Sequence, residues 1–419
     1  MALTLSGTNG VVGAGFSITP GGAVAGVVTV VTGPVTVGAA VTISESGIEA
    51  SGIGITCSNI NGTQIGGRRN LIINGAMNVA QRATSSASNG YQTVDRYKIE
   101  TSDITHNSTK SQESLSSSDT GPYEEGFRYY ARIALAQAGV VSATSAAEIQ
   151  QRIEAQNIAN SGWNYTSASS DITLQFWFRC STNQTFYGYL YSFDGTSQVY
   201  TFSFTASGNN TWTKITKTIP GNSNLTFDNN SGAGLQLKLI AFYGTDYTNN
   251  KTLDQWAAYD GNNQMPDMAS TWLTAGASTF DVTGIQLEVG SQATSFEHHS
   301  YQEELELCHR YYYKKRAATS SFWGSGVWYQ STSFICFIDF PVLMRTDVTA
   351  LEQSGTASHY KVIANATTYT CSGVPTYGGD ANNRAQTVNF PFSSGATQGQ
   401  SGIARSGSSD SYLAWSAEL

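Results

Sequence analysis

Three kinds of side chain in this sequence have types and spacings that could do chemistry: a group of histidines, a group of carboxylates and a set of aromatic rings. His298, His299 and His309 raise a metal question. His299 and His309 stand ten apart, whereas two imidazoles on one helix need i, i+4 spacing to reach the same ion. They are read as surface or helix-flanking histidines, and no metal or other cofactor is expected. Glu303, Glu304 and Glu306 raise glycosidase chemistry, which needs two carboxylates about 5 to 9 Å apart across a substrate. Neighbours on one amphipathic helix point outward instead, and helix solubility explains them. There is no GxSxG, Walker A or HExxH motif. The glycines from Gly10 to Gly15 do not follow a strand and open a helix, so no phosphate loop is read there. No catalytic residue is assigned, and the chain is read as not an enzyme. The aromatic candidates are Trp177, Trp323, Trp328 and Tyr329. Sugars present flat C–H faces that stack on such rings while a few polar groups direct them. Trp177 alternates against the apolar face of its strand and is expected to point outward. For each of the four, the competing reading is a place in the core or in a subunit interface.

The elements that would position these residues follow from composition. Charged residues make up 12% of the 419, about half the usual share. Gly is high at 42, while hydrophobic residues reach 40% and aromatic residues 11%. That excludes a disordered chain and favours many short strands and turns. The net charge of −8 leaves no basic surface to displace counterions from phosphates, so no nucleic acid is expected as a partner. The doublets Arg68-Arg69 and Lys314-Lys315 are read as solvated. The cysteines Cys57, Cys180, Cys308, Cys336 and Cys371 are dispersed and form no CxxC pair, which argues against a disulfide framework or zinc site and suits a reducing cytoplasm. Residues 1–44 carry no charged side chain, so the basic start of a signal peptide is missing. The stretch from Ala23 to Ile43 is Val-, Thr- and Gly-rich and is broken by Pro34, which favours strands over membrane insertion.

Along the chain, residues 1–67 show β-branched runs at Val27 to Val31, Val35 to Val37 and Val41 to Ile43. A loose Gly-Ile recurrence follows at 47–55. Such short, flat strands leave open edges, and intertwining with copies or docking into an assembly would close them. The competing reading is a flexible linker. Residues 68–298 alternate with period two. Leu174, Phe176 and Phe178 share a face, as do the rings from Tyr187 to Phe193, then Tyr200, Phe202 and Phe204, Leu235, Leu237 and Leu239, and Ile285, Leu287 and Val289. This is the pattern of a two-sheet sandwich. Ser145 to Ile158 fits either a helix, through Ile149 and Ile153, or a strand, through Ile149, Gln151 and Ile153. Residues 300–315 read as a helix capped by Ser300 with Glu303 as its capping-box partner. Its stripe is Tyr301, Leu305, Cys308 and Tyr312, with acids early and bases late. Residues 317–419 carry strand-like runs at Phe322, Val327, Phe334 and Tyr360, and a final strand from Tyr412. The expected fold is all-β: an N-terminal short-strand anchor or stem (1–67), a jelly-roll sandwich (68–298), a connecting helix (299–316) and a small C-terminal β tip domain (317–419).

Two stretches resemble known sequences. Arg69 to Arg82, with Thr93-Val94-Asp95-Arg96-Tyr97, resembles the opening of a domain common in bacteriophage tail-fibre proteins, with Tyr97 where that family usually has Trp. Val282 to Glu297 resembles its closing strand, Tyr301 to Tyr313 the helix that follows, and Phe340 to Arg345 a tip-domain strand beyond it. The resemblance brackets residues 69–345. It implies a jelly roll similar to carbohydrate-binding modules, a homotrimeric fibre in the virion tail assembled in the host cytoplasm, and attachment to a host cell-surface glycan. Residues 1–67 would then join other virion proteins. The alternatives are a glycan depolymerase and a purely structural tail component.

Overall fold

The computed structural model describes residues 68–104, 108–394 and 397–419, together with the backbone of five short strands before them. By contact the chain divides into two compact units, Met1–Ser58 and Asn59–Leu419. In the first unit β1 (Val35–Thr36), β2 (Val41–Ser44) and β3 (Gly47–Ala50) pair antiparallel in that order. The expected Val27 to Val31 strand and the Gly-Ile pairs at 52–55 lie outside the described residues. At the start of the second unit β4 (Asn59–Ile60) pairs with β5 (Thr63–Gln64).

The sandwich is built from β6 (Ser85–Ser86), β7 (Lys98–Ser102), β8 (Ser108–Ser114), β9 (Tyr129–Leu135), β10 (Ala146–Glu154), β11 (Asp171–Cys180), β12 (Thr185–Ser192), β13 (Gln198–Thr205), β14 (Thr213–Pro220), β15 (Ala233–Tyr243), β16 (Trp256–Ala258) and β17 (Ser278–Val289). They form two six-stranded sheets, β16-β13-β12-β15-β10-β7 and β14-β11-β17-β9-β8-β6. All pairings within them are antiparallel. The alternating residues meet as expected. Leu174, Phe176, Phe178, Phe202, Phe204, Leu235 and Leu237 are all buried between the sheets, which gives the jelly-roll-like sandwich. Phe204 sits edge-on to Phe176 and Phe178, with ring centroids 5.3 and 4.9 Å away, the geometry that aromatic quadrupoles favour. The ambiguous stretch resolves as strand β10 followed by the short helix α1 (Ala155–Ala159). Strand wins because Gln151 shares the inner face with Ile149 and Ile153. Its amide bonds both the N–H and the carbonyl of Ile73, at 2.9 and 2.8 Å, so a polar residue there is satisfied. A short helix α2 (Thr271–Thr274) precedes β17.

Helix α3 (Tyr301–His309) has the expected capping box, with Ser300 N–H to Glu303 at 2.8 Å and Glu303 N–H to Ser300 Oγ at 3.3 Å. It is shorter than expected. Tyr312 leaves the helical stripe for strand β18 (Tyr312–Arg316), which pairs with the final strand. The run of three tyrosines has high strand propensity, and a waiting partner strand decides it. Lys314 and Lys315 are not solvated as expected: their ammonium groups donate to the carbonyls of Arg82 and Trp323. Glu304 also departs from expectation. It is buried, accepts from the Asn74 N–H and lies 3.1 Å from His299.

The C-terminal part consists of β19 (Phe322–Gln330), β20 (Ser333–Asp339), β21 (Glu352–Gln353), β22 (Tyr360–Ala364), β23 (Thr367–Thr370), β24 (Thr376–Ala381), β25 (Ala385–Pro391), β26 (Ser401–Ser406) and β27 (Tyr412–Ser416). A seven-stranded sheet, β23-β22-β26-β19-β20-β25-β24, accompanies a three-stranded one, β18-β27-β21. Their common core includes Trp323, Trp328, Phe334, Tyr360, Phe390 and Trp415. Phe340 to Arg345 is not the expected strand. It runs as bends in which the Met344 N–H bonds Asn383 and the Arg345 guanidinium reaches the carbonyls of Ser231, Ala417 and Glu418.

The sandwich and the C-terminal part are joined by buried charge. Arg96, 1% exposed, lies flat on the Tyr311 ring at 3.4 Å, donates to the Arg152 carbonyl at 2.6 Å and pairs with Glu418. Beside it Glu154 takes Arg310 through two hydrogen bonds of 2.6 and 2.7 Å and accepts from the Tyr311 hydroxyl. Burial disfavours the Glu154 carboxylate, but those donors outweigh burial and hold it below the usual range. Removing one partner of such a pair leaves an uncompensated buried charge. Glu418→Ala is therefore expected to cost about 3–5 kcal/mol in denaturant unfolding. Loss of the exposed Lys214–Glu125 pair is expected to cost under about 1 kcal/mol.

A pH effect has a separate source. Burial pushes the His309 imidazole down to about 4 from an ordinary 6.5. The unfolded chain therefore takes up this proton at higher pH than the folded chain does. Its stability contribution is complete above the ordinary value and is lost as pH falls toward about 4. Asp95, raised by burial to about 6 from 3.8, acts in the opposite sense over the overlapping window. The readout is thus variant against parent at each pH. His309→Gln is expected to remove part of the acid-side loss in melting temperature and to leave the neutral side nearly unchanged.

Candidate functional site

The four aromatic residues singled out in the sequence do not come together. Trp323 and Trp328 are 2% and 0% exposed and fill the core of the C-terminal part. This corrects their reading as ligand contacts, because a fully enclosed ring has no face to offer a sugar. Tyr329, next in sequence, is 61% exposed and stands alone. Trp177 does point out of its sheet, but a loop covers it. The Gly121 backbone lies so close that a Cβ there would fall 2.6 Å from the ring. The indole N–H donates to Glu125 at 3.0 Å, and Lys214 sits over the ring at 5.8 Å. The outer face of that sheet is filled by this loop and by charge. Asp281, fully buried, pairs with both Arg132 and Arg179.

The histidines also stay apart. His298 bonds the Glu125 carbonyl, His299 faces Glu304, and His309 packs edge-on to Tyr313. Among the described residues no cluster of His, Cys, Asp or Glu could hold a metal ion. Cys180, Cys308, Cys336 and Cys371 are free and buried.

A site forms instead on the outer face of the other sheet. Alternation sends Tyr189, Tyr191, Glu148, Gln150, Gln236 and Lys238 outward while their neighbours enter the core. The register sets Glu148 opposite Glu100, and Lys238 opposite both Gln150 and Tyr189. The long connection from β15 to α2 folds back over this face; Thr248 bridges Met265 within it, and its Gln264 carbonyl accepts from the Thr201 hydroxyl of β13 at 2.7 Å. Tyr243 and Tyr247 form a pair 4.9 Å apart, and Tyr259 meets Tyr191 edge-on at 4.8 Å. Between this connection and β7 lies a cavity of about 330 Å³ lined by Asn89, Glu100, Glu148, Lys238, Tyr243, Tyr247, Tyr259 and Gln264, with Ser102 and Ala146.

Its floor is a bonded polar row. Glu148 receives Lys238 at 2.8 Å and Gln150 at 2.7 Å and accepts from the Tyr243 hydroxyl. Gln236 bonds Gln150, and the Tyr189 hydroxyl donates to Gln264 at 3.0 Å. Burial raises the Glu148 carboxyl, with Lys238 pulling the other way. Burial likewise pushes the Tyr189 phenol well above its ordinary value. Each polar group therefore holds a fixed position, and the walls add flat rings. That combination suits a polyhydroxylated ligand with apolar C–H faces.

Two larger cavities lack it. One of about 410 Å³ near Arg68 and Asn160 has no aromatic wall. The other, about 400 Å³ between the sandwich and β18, has rings that cations cap more closely than Lys238, 5.8 Å from the Tyr243 ring, does in the cleft. Arg82 lies over Tyr312 at 3.4 Å and Lys314 over Tyr412 at 4.1 Å.

The shared face of the rings from Tyr187 to Phe193, read above only as strand alternation, was the signal for this site. Tyr187, Tyr189 and Tyr191 share one face of β12, opposite the face of Leu190. An aromatic face opposite the core face marks a platform. Tyr259 and Gln264 lay in a long connection with no periodicity, so nothing tied them to it.

No family model matches the sequence, and no curated protein matches it. Among solved structures the chain is similar to the enzymatically active domain of tailspike protein 4 of bacteriophage CBA120, at 10% identity and a TM-score of 0.27, over 52% of this chain and 21% of that one. It thus spans about a fifth of that chain's length. It is also similar to TmCBM61, solved with β-1,4-galactotriose, at 9% identity and a TM-score of 0.25, over 54% of this chain and 100% of that one. A third is the family 11 carbohydrate-binding module of Clostridium thermocellum, solved with a β-1,3-1,4-mixed-linked tetrasaccharide. It matches at 10% identity and a TM-score of 0.23, over 50% of this chain and 98% of that one. At these TM-scores no residue-level correspondence follows, and the cleft is read from its own geometry.

Proposed function

We propose that this chain is a glycan-binding attachment protein of a bacteriophage tail fibre, working as a homotrimer. The tyrosine-walled cleft would take a host-surface oligosaccharide, and residues 1–67 would join it to other virion proteins. The observation that carries the binding role is the cleft on the outer face of the first sheet, where fixed polar groups lie beneath tyrosine rings. The phage setting rests on the sequence resemblance at 69–97 and 282–313. Three weak sites on one trimer would attach strongly through avidity, because the second and third contacts form at high effective concentration.

A second reading has one observation in its favour. Glu148 and Glu100 face each other across β10 and β7, and burial raises the Glu148 carboxyl, as an acid–base pair in a depolymerase would require. Against it, both Glu148 oxygens are occupied by protein donors, which leaves no proton aimed at a glycosidic oxygen. Binding is the better fit.

The test is calorimetric titration of the full chain with oligosaccharides from the host surface polysaccharide, followed by assay for new reducing ends. Binding without cleavage is expected. Tyr259→Ala is expected to weaken affinity about tenfold, close to 1.4 kcal/mol, with the fold intact because that ring is 38% exposed. Unchanged affinity in Tyr259→Ala would remove the cleft from consideration. Reducing ends that vanish in Glu148→Gln would establish the enzyme instead.

A further inference from the structure

We infer that the outer face of the seven-stranded sheet is where copies of this chain meet, through an association whose rotation axis runs parallel to β19. The inner face of this sheet is packed with Trp323, Trp328, Phe334 and Phe390. The outer face carries Phe322, Phe337 and Ile403 at 59%, 64% and 42% exposure, with Val327, Ile335 and Ile363 partly exposed between them. The register makes these a continuous strip. Ile363 pairs with Ile403, Ile403 with Ser325, and Val327 with Ile335. Among the described residues no other layer covers it.

Strands about 4.8 Å apart and about 20 Å long give seven of them a face of roughly 600 Å². One partner in a standard interface buries roughly 600–1,000 Å². A face of that size, with an apolar centre, matches a contact surface better than a wetted one.

Charge on the same face selects the occupant. Lys361 pairs with Arg405, and Arg405 with Phe322. Asp339 ends the strand on the other side of β19. One row across the sheet thus runs from two cations, through an exposed phenylalanine, to a carboxylate. A rotation axis along the strands reverses left and right in this row but keeps its level. The basic end of one copy then lies against the acidic end of the next, whether the axis is twofold or threefold. The face is complementary to itself, so the partner is another copy of this chain.

This inference deepens the trimer part of the proposed function and does not depend on the glycan cleft. The test mixes full chains grown on ¹⁴N and ¹⁵N, measures mass by light scattering, and joins carboxylates to amines with a zero-length carbodiimide. An oligomer is expected, with an Asp339–Lys361 cross-link between light and heavy chains. Phe337→Lys is expected to abolish that cross-link, while per-chain glycan affinity stays unchanged. A monomeric parent chain would overturn the inference and point to a different protein as the cover. So would an oligomer lacking the mixed-label cross-link, or one that keeps it in Phe337→Lys. Tyr259→Ala is expected to leave mass and cross-link as in the parent, so the two readings fail separately.

Discussion

The Arg96 guanidinium is the group on which the rest of this structure depends. It is a permanent charge at 1% exposure, tolerable there because both terminal nitrogens are bonded and a ring lies against it, although its Nε has no hydrogen-bond partner. Those partners come from distant parts of the chain: the Arg152 carbonyl from β10, the Tyr311 ring from the turn after α3, and Glu418 from beyond β27. Satisfying one residue therefore brings together the sandwich, the helix and the C-terminal strand. Arg96 itself sits at a φ of +72°, a backbone conformation that costs energy for a residue with a side chain and persists only where its surroundings impose it.

The stretches 69–97 and 282–313 prove to be this junction and its supports. Asn74, also left-handed at φ +60°, turns its side chain back to bond Val79 at both N–H and carbonyl and reaches the Asp95 carbonyl. Asn70 ties the Ile285 carbonyl and the Leu287 N–H of β17 to the start of the sandwich. Gly75 lies so near the Ile285 carbonyl that a Cβ would fall 2.1 Å from it. These residues serve folding. Their contacts are internal, and they say nothing about which ligand the outer surfaces take.

Legibility from sequence followed the same line. Inner-face positions such as Phe176, Phe202 and Leu237 were readable because period-two alternation is a direct consequence of strand geometry. The α3 start was readable because a capping box is local. Tyr312 was misplaced because the helical stripe and a strand pairing with β27 compete for it, and the partner lies about a hundred residues on. Glu304 was misread as solvated because its acceptor role for the Asn74 N–H is set by a contact far away in sequence. Trp323 and Trp328 were candidates by ring type and place in the chain, with the core as the competing reading; a bulge in β19, between Phe322 and Gly324, lets these two residues five apart both face inward. Period two alone cannot foresee such a bulge.

What remains free to vary is the covering of each outer face, and there the three large sheets differ. The β14–β6 sheet is covered over its middle by the 115–128 loop and the Asp281 ion pairs, and what it leaves exposed on β14 is Lys214, Thr216 and Thr218, with no aromatic wall. The β16–β7 sheet is roofed only partly, and the gap between roof and β7 is where Glu148, Lys238 and Tyr259 meet. The seven-stranded sheet carries neither loop nor ion-pair lid among the described residues, and its exposed side chains are apolar at the centre and charged at one level. A chain with only 12% charged residues has few charges to place. Where they lie in a row across such a face, they mark orientation in an association more than solubility, since scattered positions would keep the face wet equally well. The buried junction makes this division workable. It holds the cleft-bearing sheet and the apolar sheet in one compact unit, so the geometry of any association is carried directly to the site that meets the ligand.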